Sequence, residues 1–72
     1  MQRILIIFPT THNLFLAEEI IQKENYSYEI VPTPDDEEDC CSLSIEIEGY
    51  DKKDLEYLLK EEFIEYKKIV YL

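Results

Sequence analysis

The chain has 72 residues, which is near the lower limit for a single domain that buries a core of its own. Seven basic against seventeen acidic residues give a net charge of −10, which argues against binding to the phosphates of nucleic acid or to an anionic membrane. One glycine, three prolines and 46% hydrophobic residues exclude a collagen-like chain and argue against a disordered one, so we expect one domain over residues 1–72.

The first part of the chain has the pattern of a strand followed by a helix. Residues 3–8 form a continuous apolar run, rich in isoleucine, that is typical of a central strand. Thr10 and Thr11 come next and are good helix caps, and Asn25 suits the left-handed residue that ends many helices. Between them, apolar side chains recur at helical spacing: Leu14, Ala17 and Ile21.

Two further strands and an acidic hairpin follow this helix. Residues 26–31 alternate as a strand, and residues 32–39 (PTPDDEED) form a polar loop. Residues 41–48 alternate most clearly, so one face of this strand should be buried and the other wet. The buried face should carry Cys41, Leu43, Ile45 and Ile47, and the wet face Ser42, Ser44, Glu46 and Glu48.

A second helix and a last strand complete the pattern. Asp51 should cap the helix, Phe63 should close its apolar stripe, and residues 66–72 form the strand. Two right-handed crossovers around a hairpin predict an α+β, ferredoxin-like βαββαβ domain. Its four-stranded antiparallel sheet has the order 4-1-3-2 with both helices on one face.

This topology places the turn after the first strand beside the beginning of the third strand. Cys41, which shares the parity of the buried positions, should therefore point toward the start of the first helix, whereas Cys40 should point away. Unpaired N–H groups and the positive end of the helix dipole favour a thiolate there. His12 would add a proton donor, and the hydroxyls of Thr10 and Thr11 would bond an attached sulfur species.

Each of these features also has a structural interpretation. A cysteine on an inward-facing strand position is commonly a small buried hydrophobe, and the two threonines are explained by capping. The pattern of metal ligands is weak, because the two cysteines are adjacent and no CxxC spacing occurs. The short apolar run at the amino terminus suits neither a signal peptide nor a membrane span, so we expect a cytoplasmic protein with reduced thiols.

The stretches FPTTHNLFLAEEII, EIVPTP and CSLSIEI together resemble the family DUF3343, whose members are described as selenium or sulfur carriers. The resemblance implies that Cys41 accepts a sulfur or selenium atom as a persulfide, with Thr11 and His12 matching the Thr-His pair of the family. Such carrier chemistry needs no cofactor, and it implies a partner enzyme that supplies the atom, such as a cysteine desulfurase. The chain departs from the family pattern at Ser42, where glycine is usual, and in Cys40 and the acidic run before it.

A second hypothesis, from another functional class, is a non-catalytic interaction or ligand-sensing module. Small domains of this topology often pair through the open face of the sheet. Because the first strand is apolar on both sides, a monomer would expose part of that surface, which favours a homodimer. The two hypotheses differ in the reactivity that they require of Cys41.

Overall fold

The computed structural model describes residues 3–34, 41–49 and 51–72. Its elements are, in chain order, β1 (Arg3–Ile7), α1 (Thr11–Lys23), β2 (Tyr28–Pro32), β3 (Leu43–Glu48), α2 (Lys52–Glu61) and β4 (Lys68–Tyr71). The strands form one antiparallel sheet in the order β2-β3-β1-β4, which is the predicted order read from the opposite edge. The α+β, ferredoxin-like fold is therefore confirmed.

The core lies between the sheet and the two helices. Ile4 and Ile6 of β1 and Ile45 and Ile47 of β3 are fully buried, as expected of the two central strands. The helices cover them with their apolar stripes, which consist of Leu14, Ala17, Ile21, Leu55 and Leu59. Burial of these side chains, at about 1.5 to 3 kcal/mol for each large one, is the main favourable contribution to folding.

The other face of the sheet differs from the expectation. Leu5 and Ile7 lie there, yet they are only 5% and 1% exposed in the single chain. The argument that a monomer would leave this surface open is therefore wrong for these two side chains, and a homodimer through this face stays a prediction. Arg3 lies at the end of the same strand and donates from Nε to Glu48 at 3.2 Å, and this carboxylate raises the pKa of the guanidinium.

Two residues of β3 differ in exposure from the predicted alternation. Leu43, expected inside, is 39% exposed, whereas Ser44, expected on the wet face, is fully buried. Leu43 pairs with Pro32 at the outermost rung of the β2–β3 ladder, where fewer neighbours cover it. Ser44 lies between Val31 and Ile7 on the two flanking strands, and its hydroxyl is hydrogen-bonded, which allows a polar side chain to be buried there.

Each helix is followed, two residues after its last one, by a residue with left-handed backbone geometry. Asn25 has φ +60°, which confirms the cap predicted for α1. Phe63 has φ +57° and is 93% exposed, so the prediction that it closes the apolar stripe of α2 is wrong. The left-handed turn rotates Phe63 outward, and Ile64, whose N–H donates to the carbonyl of Leu59 at 2.9 Å, takes the buried position.

We expect the variant Phe63→Gly to be more stable than Phe63→Ala by about 1 kcal/mol, because glycine adopts positive φ without the clash that a Cβ atom causes. Both variants remove the same exposed ring, so the comparison isolates the backbone term. Urea denaturation followed by circular dichroism measures the free energy of unfolding. Equal stabilities of the two variants would contradict a left-handed Phe63.

Candidate functional site

The start of α1 is fixed by two threonines with different roles. Thr10 is the N-cap, and its Oγ1 accepts from the backbone N of Asn13 at 3.3 Å and from Asn13 Nδ2 at 3.0 Å. Thr11 is the first residue within the helix, and its hydroxyl is left for other partners. The structure therefore gives the Thr10 hydroxyl a capping role and directs that of Thr11 elsewhere.

Cys41 lies two residues before β3. Its backbone N–H donates to the carbonyl of Phe8 at 2.8 Å, which holds it beside the residue that follows β1. Its Sγ lies 3.4 Å from Thr11 Oγ1, and either atom can be the donor. The thiol is free, 6% exposed, and packs on the hydrophobic core.

This contact joins residues that are thirty positions apart, Thr11 and Cys41. Within the described residues, no backbone N–H of α1 donates to Sγ; the polar contact is made by the hydroxyl. A hydroxyl accepts from a thiol and donates to a thiolate, so it can serve the sulfur in both protonation states. The contact thus gives the sulfur of Cys41 one polar side-chain partner at the start of α1.

The remaining predicted site residues are not joined to this pair. His12 follows Thr11 on the first turn of α1 and is exposed, and it forms no hydrogen bond or ion pair with another residue of the described ranges. Cys40 and the acidic run of residues 35–39 lie outside the described residues. Thus the structure places Thr11 against Cys41, and the participation of His12 and Cys40 stays a prediction.

Two residues that the sequence interpretation did not assign also contact this segment. Thr33 Oγ1 donates to the carbonyl oxygen of Cys41 at 2.7 Å and lies 2.6 Å from Ser44 Oγ. The signal for Thr33 is its place between two prolines in the PTP stretch, which marks the end of β2. The signal for Ser44 is only that it is a small polar residue in a strand.

The described surface hollows are formed by residues other than Cys41. Three shallow hollows on the surface are lined by other residues, such as Arg3, Tyr57 and Leu16, and none of them is lined by Cys41. Among residues 3–34, 41–49 and 51–72 there is no group of three or more His, Cys, Asp or Glu side chains placed to hold a metal ion. No helix in the same ranges has the length and apolar character needed to cross a membrane.

Comparison with known proteins gives one match. The family model described as "Putative Se/S carrier protein-like" matches residues 3–71. This range includes both residues of the contact, Thr11 and Cys41. The search of curated proteins found no match, and the search of solved structures found none either.

We expect the variant Thr11→Val to slow the alkylation of Cys41 by iodoacetamide at neutral pH by about tenfold, because a hydrogen bond to a charged group contributes about 1.5 to 3 kcal/mol. Valine keeps the shape of threonine and removes only the donor to the thiolate. All measurements use a Cys40→Ser background, so that one thiol is followed by mass spectrometry.

The control is Thr11→Ser, which keeps the hydroxyl and should react within about twofold of the parent protein, since it retains the hydrogen bond. Equal rates for the valine and serine variants would show that the hydroxyl does not act on the sulfur.

Proposed function

The chain belongs to the family described as "Putative Se/S carrier protein-like", and on this premise we propose that Cys41 carries a sulfur or selenium atom as a persulfide-type species. The observation that supports this role is the 3.4 Å contact between Cys41 Sγ and Thr11 Oγ1 at the start of α1. It gives the single described thiol of the chain a polar partner at the edge of an otherwise apolar environment.

The transfer is an exchange between two sulfur atoms and needs no external oxidant. The thiolate of Cys41 attacks the terminal sulfur of a donor persulfide, and the donor's sulfur–sulfur bond breaks as a new one forms on Cys41. The inner sulfur of the donor leaves as a thiolate and takes up a proton. Delivery repeats the same exchange, with the thiolate of an acceptor attacking the terminal atom on Cys41. A selenium atom would move by the corresponding steps.

In this mechanism the residues around Cys41 have separate tasks. Thr11 donates its hydroxyl hydrogen to the thiolate before attack, which orients the sulfur and lowers its energy. His12, exposed on the same turn, supplies the proton to the departing thiolate of the donor. Thr10 acts through its cap, which fixes the first turn that carries both side chains. Cys40 would resolve a persulfide on Cys41 if it takes part at all.

The exposure of the thiol favours a carrier over a turnover enzyme. Only 6% of Cys41 is exposed, while Thr11 and His12 beside it are on the surface, so a donor sulfur has to be presented to this edge. An enzyme that bears a persulfide on a mobile cysteine, such as a cysteine desulfurase, meets this requirement. The exchange also requires reduced thiols, which the cytoplasm maintains.

We expect the protein to gain the mass of one sulfur atom when it is incubated with a cysteine desulfurase and cysteine. The Cys40→Ser variant should be loaded like the parent, and the Cys41→Ser variant should not be loaded, because the proposed acceptor is the sulfur of Cys41. Intact-mass spectrometry under non-reducing conditions measures the product.

The pair of serine variants forms a matched control, since each removes one of two adjacent thiols. Loading that persists in Cys41→Ser and is lost in Cys40→Ser would refute the assignment of the acceptor. No loading of any variant, together with slow alkylation of Cys41, would favour the passive interaction module instead.

A further inference from the structure

The segment that carries Cys41 leaves the register of β3 with β1, whereas Ser42 still continues the register of β3 with β2. In the β1–β3 ladder Ile7 pairs with Ser44, which would place Phe8 opposite Leu43. The carbonyl of Phe8 instead accepts from the N–H of Cys41, which precedes Leu43 by two residues in the sequence. Cys41 therefore lies outside the regular pairing of β3 with β1, and individual hydrogen bonds fix its backbone there.

Thr33 supplies two of these bonds from the end of β2. Its backbone N–H donates to the carbonyl of Ser42 at 2.8 Å, and its Oγ1 donates to the carbonyl of Cys41 at 2.7 Å. Both peptide groups on the carboxyl side of Cys41 are thus tied to one residue. Together with the bond to Phe8, this fixes the N–H and the carbonyl of Cys41 from two different strands.

Ser44 gives the Thr33 hydroxyl its direction. Because Thr33 donates its hydrogen to the carbonyl of Cys41, the 2.6 Å contact requires Ser44 to donate to Thr33 Oγ1. Ser44 is fully buried, so its hydroxyl has no water to choose instead. The result is a directed chain of hydrogen bonds from Ser44 through Thr33 to Cys41.

We propose that Thr33 and Ser44 are positioning residues for Cys41: their hydrogen-bond chain fixes the Cys41 carbonyl and thereby holds Sγ against the Thr11 hydroxyl. The sulfur is touched by Thr11, and Thr33 and Ser44 act through the backbone. The reason for holding Cys41 in place rests on the proposed carrier function. The hydrogen bonds themselves do not depend on which atom is transferred. It also assigns a task to the threonine of the PTP stretch and to a buried serine on the otherwise wet side of β3.

A purely structural role for these hydroxyls predicts a different behaviour. Loss of stability alone would expose Cys41 through global unfolding, so its alkylation would depend steeply on urea. If the substitution instead displaces the sulfur of Cys41, the alkylation rate of the folded protein changes. That rate depends little on urea. Moreover, once Sγ has left Thr11, removing the Thr11 hydroxyl should have no further effect.

The experiment is a double-mutant cycle between Thr33→Val and Thr11→Val in the Cys40→Ser background, read out by the alkylation rate of Cys41 at several urea concentrations below the unfolding transition. Thr33→Val should slow the alkylation of Cys41 by about fivefold or more, because Sγ loses its contact with the Thr11 hydroxyl. In this variant the further substitution Thr11→Val should change the rate by less than about twofold, since a hydrogen bond that is already lost contributes nothing. Thr33→Ser should restore both values. Ser27→Ala, at an exposed serine that precedes β2, should leave them unchanged.

Additive effects of the two valine substitutions, or rates that rise with urea in parallel with global unfolding, would overturn the proposal. If Thr33→Val does not fold, Ser44→Ala takes its place in the cycle, since it leaves the Thr33 hydroxyl without its buried donor.

A second measurement, sulfur loading from a cysteine desulfurase, separates this inference from the proposed function. Loading that is slowed in Thr33→Val and restored in Thr33→Ser supports both. If the parent protein is not loaded at all, the carrier function fails while the alkylation cycle still decides whether Thr33 positions Cys41.

Discussion

The antiparallel pairing of β1 with β3 is the constraint on which the site depends. It places the residues that leave β1 beside the residues that enter β3, so that Thr11 meets Cys41 across thirty positions of sequence. The pairing is stabilised by burial on both faces of β1, since Ile4 and Ile6 lie in the core and Leu5 and Ile7 are covered on the other side. A slip by one residue would reverse the faces of β3 and would turn the thiol away from α1.

This meeting of two distant segments could be predicted because it follows from period and topology alone. The alternation of residues 41–48 sets the parity of Cys41, and the order of the elements sets which ends of the strands are neighbours. The same reasoning fails where a local contact decides the outcome. Leu43 and Ser44 exchange their expected exposures at the end of the β2–β3 ladder, and Phe63 turns outward because its backbone is left-handed just after α2.

The support of Cys41 could not be predicted for a different reason. Thr33 reaches Cys41 and Ser44 through side-chain hydrogen bonds, and no periodic pattern of apolar and polar residues encodes such bonds. Likewise, the two adjacent threonines have the same chemistry in the sequence but different partners in the structure. Thr10 is used by its own helix, whereas Thr11 is available to the sulfur only because it is the first residue inside that helix.

The neutral character of the contacts to Sγ bears on what such a site can do. A cation beside a thiolate stabilises it strongly but also lowers its nucleophilicity, because the reactivity of thiolates falls with their basicity. The described contacts of Cys41 Sγ are a hydroxyl and apolar side chains, in a chain whose net charge is −10. For the carrier function proposed above, a neutral hydroxyl would orient the sulfur without placing a cation beside it. Loading and delivery, the two exchanges of that proposal, both require a sulfur that can react at this position.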